Sequence, residues 1–189
     1  MIVANEIELA RYCIEFAIKS GASAARLSLN KNVMDAYTIL NGELDKVSHS
    51  ADRSIYLYLY VDGRYGTFST NRLEKKELED FISQAVVMVR MLGEDQLRRL
   101  PDADRTAKDA ITGLELDLCD ATYESYSSEE RLERAKSMSR FKAYAPTPEY
   151  TVLSEECEYA ESSDDTLLID SQGFEGRHRE TSFNCFSEI

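Results

Sequence analysis

Ser54-Ile55-Tyr56-Leu57-Tyr58-Leu59-Tyr60-Val61-Asp62-Gly63-Arg64-Tyr65-Gly66-Thr67-Phe68-Ser69-Thr70 is the stretch whose reading decides the fold. Ile55, Leu57, Leu59 and Val61 take one face and Tyr56, Tyr58 and Tyr60 the other, the two-residue period of an extended strand. Asp62-Gly63 is a two-residue hairpin signal, so Arg64 to Thr70 returns alongside. Upstream, residues 24–30 alternate in part, and residues 36–40 are rich in Tyr, Thr and Ile. They lead into a second such turn, Asn41-Gly42, with Leu44 to Ser48 beyond it. These pieces predict an antiparallel meander of about five strands.

Helical spacing flanks the meander. Ile7, Ala10, Ile14, Ala17 and Ile18 share one side of a 3.6-residue period over residues 5–20, with Asn5 as cap, Glu8 in the capping-box position and Gly21 at the end. Over residues 75–92, Leu78, Phe81, Ile82, Ala85, Val89 and Leu92 form another apolar face, capped by Thr70 or Asn71 and stopped at Gly93. Periodicity fades from Glu94 to Tyr126. A third helix begins at Ser127 with Glu130 three residues on, and Pro146 and Pro148 forbid its continuation. Tyr150 to Leu153, Thr166 to Asp170 and Glu180 to Phe186 read as strands, with Ser171-Gln172-Gly173 as a turn.

The fold class is therefore α+β: an antiparallel sheet of about five strands packed with two helices, then a helix and a second, incomplete antiparallel β unit. In chain order this gives a first domain at 1–93, an irregular linker or loop at 94–126, and the start of a second α+β domain at 127–189. That second unit stops at Ile189, inside or just after a strand, so the chain is expected to be truncated.

Composition narrows the function classes. With 189 residues, 43% of them apolar, the chain can bury a core. Its 35 acids against 22 Lys and Arg leave a formal charge of −13, which repels phosphate backbones and argues against direct nucleic-acid binding. No run approaches a membrane span, and the amino terminus lacks a secretion signal, which predicts a cytoplasmic protein. Cys13, Cys119, Cys157 and Cys185 stand far apart without a CxxC pair, and read as reduced, structural thiols.

No reactive constellation emerges from the residues. The two histidines, His49 and His178, belong to no HExxH pattern, and no spacing singles out a zinc site built from Cys157, His178 and Cys185. There is no GxSxG elbow, and Gly63-Arg64-Tyr65-Gly66 opens a hairpin and not a phosphate loop. The acids Glu155, Glu156, Glu158, Glu161, Asp164 and Asp165 lack EF-hand spacing and read as a solvated strand face or turn. The tyrosine stripe reads as the second packed face of a central strand. No catalytic, cofactor-binding or metal residue is assigned, and the residues alone fit a stand-alone acidic protein-interaction module without enzymatic activity, using a sheet edge or the tyrosine face.

Several motifs in succession resemble the amino-terminal part of the TldD/PmbA family, the modulators of DNA gyrase. They are Asn41-Gly42-Glu43-Leu44 after a strand, Val61 to Thr70, the helix containing Ala85, and Ser171-Gln172-Gly173. The resemblance implies an intracellular, zinc-metallopeptidase-like protein acting in proteolysis of unfolded peptides, paired with a related subunit. In that family the zinc ligands lie in an HExxxH helix and a distant cysteine of a carboxy-terminal domain. Neither motif occurs here, so the resemblance implies a non-catalytic front part that shapes a substrate cleft or subunit interface, with zinc in the missing domain.

Overall fold

The computed structural model describes residues 1–108 and 112–189. Residues 109–111, within the interval expected to be irregular, lie outside the described residues. In chain order the main elements are α1 (Ala4–Lys19), β1 (Ala24–Leu40), β2 (Glu43–Val61), β3 (Arg64–Thr70), α2 (Lys75–Val89), α3 (Ser128–Met138), β4 (Glu156–Asp170) and β5 (Glu175–Glu188). The strands form a five-stranded antiparallel sheet in the order β3-β2-β1-β4-β5, so the α+β class holds.

The strands are longer than the sequence pieces suggested, and only three come from the amino-terminal half. Residues 24–30 and 36–40 are parts of β1, and 44–48 and 54–61 are parts of β2. Neither intervening stretch, 31–35 nor 49–53, contains the Gly or Pro that would break a strand. The turn signals do hold: Asn41 and Gly42 have φ of 53° and 81°, and Asp62 and Gly63 have 48° and 72°, the left-handed geometry that folds β1 onto β2 and β2 onto β3. β2 pairs with β3 from Ile55 opposite Thr70 to Val61 opposite Arg64.

Helix ends differ in detail. α1 starts after Val3, whose N–H donates to the Glu6 carboxylate at 2.9 Å, so the cap lies two residues before Asn5, with Glu6 in the role expected of Glu8. α2 starts after Glu74 and ends at Val89 instead of running to Leu92. α3 follows the expected capping box: Glu130 N–H donates to the Ser127 hydroxyl at 3.2 Å, and Ser127 N–H donates to the Glu130 carboxylate at 2.8 Å. Tyr150 to Leu153 is not a strand; β4 begins at Glu156.

The chain divides into two compact units, each drawn from three non-consecutive segments. The first comprises Met1–Lys31, Asp52–Asp117 and Asp164–Arg179. Its core joins Ala10, Cys13, Ile14 and Ala17 of α1 and Leu78, Ile82, Ala85, Val86 and Val89 of α2 to Leu27, Leu29, Ile55, Leu57, Leu59 and Leu167 of the strands. Gly66 makes that approach possible, because a Cβ there would stand 2.8 Å from Val89 Cγ2. The second unit comprises Asn32–Ala51, Leu118–Ser163 and Glu180–Ile189. Here Ala135 of α3, with Leu132 and Met138, packs on Tyr37, Ile39, Cys157 and Tyr159.

Candidate functional site

β4 concentrates the charge chemistry of both units. Its odd-numbered positions from Cys157 to Ile169 point inward, and this inner face includes Glu161 and Asp165, besides the apolar Cys157, Tyr159, Leu167 and Ile169. A buried carboxylate is tolerable only when donors surround it. Glu155 and Asp170, which flank the strand's inner face, meet the same requirement.

In the first unit Asp165, fully buried, accepts from Ile2 N–H at 2.8 Å and from Arg177 Nε and Nη2 at 2.7 and 2.5 Å. Arg179 stands 3.9 Å away. Burial works against the Asp165 charge, yet the Arg177 fork and the Ile2 amide hold its carboxyl below the usual carboxylate range. Arg177 also donates to the Ile2 carbonyl at 2.9 Å, so the amino-terminal segment is gripped at both backbone polar groups. Asp170 closes the β4–β5 turn by accepting from Gln172 N–H at 2.9 Å and Phe174 N–H at 3.2 Å, and pairs with Arg26 at 3.1 Å.

In the second unit Glu161 accepts from Arg131 Nε at 2.7 Å, from Arg134 Nη1 at 3.2 Å and from the Tyr159 hydroxyl. Burial and that hydrogen bond push the Tyr159 phenol up. Glu155 accepts from the Ser139 hydroxyl and from the N–H groups of Arg140 and Phe141, both at 2.9 Å to the same oxygen. Desolvation opposes its charge as well, and those donors overcome it, holding its carboxyl low. A general base for neutral-pH chemistry needs a free lone pair and a pKa near the working pH. Asp165 and Glu155 have donors on their oxygens and are shifted the other way.

The acids expected to be a solvated face thus separate by strand parity. Glu156 and Glu158 are exposed as expected, whereas Glu161 and Asp165 are buried against arginines remote in sequence, and Glu155 is buried against the Ser139 hydroxyl and the Arg140 and Phe141 N–H groups. Of the tyrosine stripe, Tyr56 is 43% exposed and Tyr58 and Tyr60 are half-buried, so this second face is only partly packed. His49 Nδ1 lies 2.8 Å from Asp35. Cys157 is buried with its sulfur 3.4 Å from the Ser187 hydroxyl, whereas Cys185, read as a structural thiol, is exposed. Burial pushes the Cys13 thiol up to about 12. Among the described residues no group of three or more His, Cys, Asp or Glu is arranged to hold a metal, so these residues do not fit a zinc site.

The open chemistry lies in surface clefts. One of about 520 Å³ runs between Thr106, Lys108 and the turn residues Gln172, Phe174 and Glu175. A smaller one, about 280 Å³, lies on the other side of that turn, against Arg11 and Ile14. Arg11 Nε and Nη2 both donate to Glu175 at 2.8 Å and fix the wall between them. A cation, an amide and an aromatic ring suit recognition of a ligand and supply no nucleophile. The turn is the Ser171-Gln172-Gly173 motif that the sequence reading singled out. No helix among the described residues is long and apolar enough to cross a membrane.

An α+β framework of this kind has known counterparts. Residues 25–89 match the family model described as PmbA/TldA metallopeptidase domain 1. A crystal structure from Bacteroides thetaiotaomicron, described as a candidate modulator of DNA gyrase, superposes with a TM-score of 0.85 at 29% identity, over 99% of this chain and 41% of that one. The corresponding Thermotoga maritima protein gives 0.68 at 16% identity, over 95% of this chain and 38% of that one, and TldE from Thermococcus kodakarensis gives 0.69 at 15%, over 96% and 39%; these two show the shared fold. No curated protein sequence matches the chain. Over residues 25–89 the chain is thus similar to the first domain of the PmbA/TldA metallopeptidases, and it spans well under half the length of these solved structures.

Proposed function

We propose that the chain is the non-catalytic, amino-terminal part of a TldD/PmbA-type zinc metallopeptidase acting in proteolysis of unfolded peptides, and that it shapes a substrate cleft or subunit interface. The observation that carries this reading is the match to the Bacteroides protein over 99% of this chain and only 41% of that one. The saturated carboxylates of β4 agree with it, since none is free to activate water. The zinc then belongs to a carboxy-terminal domain, the partner is a related family subunit, and the setting is cytoplasmic. The charge of −13 disfavours direct contact with DNA.

The test pairs two measurements. The mass of the native polypeptide in its source cells is expected to be more than twice that of these 189 residues. The 189-residue chain alone is expected to bind no stoichiometric zinc by elemental analysis and to leave unfolded peptides uncut. Tight zinc binding together with peptide hydrolysis by these residues alone would overturn the reading.

A further inference from the structure

The smaller cleft beside the Ser171-Gln172-Gly173 turn lies between α1 and the β4–β5 connection, and both walls are held by bonds within the first unit. Ser171 N–H donates to the Ala25 carbonyl at 2.9 Å, and Ala25 N–H donates back to the Ser171 hydroxyl at 3.0 Å. That reciprocal pair fixes the turn against β1. On the helix side Arg11 holds Glu175 through both Nε and Nη2. Gly173 has a φ of 92°, a value that favours glycine, and nothing lies within 4 Å of the place its Cβ would take. The cleft is thus pre-formed, as ligand sites usually are.

Its lining divides by chemistry. Ile14 and Ile169 supply an apolar floor, and the half-buried Phe174 supplies a ring. Of the three carboxylates in the lining, Asp170 is paired with Arg26 and Glu175 with Arg11. Arg11 is shared with a further acid, Glu8, at 2.5 Å, so its charge is more than balanced. Glu15 is exposed and has no ion pair among the described residues, Lys19 one turn further on α1 included. The cleft therefore carries excess negative charge beside an apolar floor. At about 280 Å³ it lies just below the roughly 300–1,000 Å³ of small-molecule pockets, which suits a single long side chain.

We propose that this cleft receives a lysine or arginine side chain of an extended polypeptide, with its stem against Ile14, Ile169 and Phe174 and its cationic head at Glu15. Such side chains bury their methylene stems along apolar surface while the charged end stays in water. A cation near the phenyl ring gains a further attraction. An acidic side chain is repelled by Glu15 and by the anionic Glu8–Arg11–Glu175 group. A wholly apolar one can cover the floor but leaves Glu15 unmatched. The choice of a polypeptide as ligand rests on the proposed peptide-handling role.

The test reads isotope-labelled isoleucine methyl signals by NMR while the protein is titrated with Nα-acetyl-lysine methylamide, its arginine counterpart and the uncharged norleucine analogue. The two cationic probes are expected to shift the Ile14 and Ile169 methyl signals saturably. The norleucine analogue is expected to bind at least about threefold more weakly at low salt, and the gap to narrow at high salt. Glu15→Gln, at an exposed helix position, leaves the circular dichroism spectrum unchanged and weakens the cationic probes about threefold, without affecting norleucine. Asp45→Asn makes the same change of net charge in the second unit and is expected to leave every affinity unchanged. Absence of saturable shifts at Ile14 and Ile169, equal affinity for norleucine, unchanged affinity in Glu15→Gln, or an equal loss in Asp45→Asn overturns the assignment. The proposed function falls instead on zinc-dependent hydrolysis by these residues alone, so the two failures are distinguishable.

Discussion

Asp165→Asn tests the buried chemistry of β4 most directly. The amide keeps the shape of the carboxylate and can still accept from Ile2 N–H, but it removes the charge faced by Arg177 and Arg179, whose side chains are only 17% and 25% exposed. Breaking a buried pair by removing one partner costs about 3–5 kcal/mol. Both guanidinium groups keep some access to water, which places the expected loss at the lower end, about 3 kcal/mol. With a urea slope of about 2 kcal/mol/M, the midpoint falls by about 1.5 M. The pH dependence has a definite sign. The folded-state carboxyl lies below its unfolded value, so its contribution is fully present above about pH 4 and is lost as the pH falls through the folded-state pKa. The wild-type advantage over Asp165→Asn is therefore flat from pH 5 to 8 and closes only in strong acid. Urea titrations of both proteins across that range check it, and a loss below about 1 kcal/mol at pH 7 would refute the reasoning.

Three further outcomes are expected. Leu57→Ala, at a fully buried strand position facing both helices of the first unit, costs about 2–5 kcal/mol in chemical denaturation. Gly113→Ala destabilises more than Gly173→Ala: both glycines have positive φ, but a Cβ at 113 meets the Arg177 carbonyl oxygen at 2.7 Å, whereas nothing lies within 4 Å at 173. Thermal melts of the pair read the difference. In the native protein Cys185 reacts with a thiol reagent at pH 8, whereas Cys13, buried and held protonated, reacts only after denaturant is added.

Much of the sheet was legible because its inner faces follow ordinary chemistry. Ile55 to Val61 alternate cleanly, and Asn41-Gly42 and Asp62-Gly63 announce their own backbone geometry. β4 was legible only from Thr166 onward. Between Cys157 and Asp165 its buried face mixes Tyr, Glu and Ser with Cys and Asp, and a hydrophobic pattern cannot register a carboxylate made tolerable by Arg131 or Arg177. Those arginines lie elsewhere in the sequence, and nothing local pairs them with their acids. The cap of α1 was misplaced for a related reason: Asn5 is the better capping residue, but α1 begins where Glu6 can reach the Val3 amide. The cleft was foreshadowed only by the turn Ser171-Gln172-Gly173, since its opposite wall comes from the irregular residues Thr106 and Lys108.

The strand order has a consequence for how the protein is made. β1 lies between β2 and β4, yet β4 begins at Glu156, far beyond the end of β1 at Leu40. On a ribosome adding about 5–20 residues per second, β1 waits on the order of ten seconds with one side unpaired. Its buried residues Leu27, Leu29 and Ile39 are meanwhile attached to a nascent hairpin. Closing so large a loop is also slow once the chain is free. The nascent chain is therefore most vulnerable to misassociation in that interval, when a chaperone that shields strand edges has most to contribute.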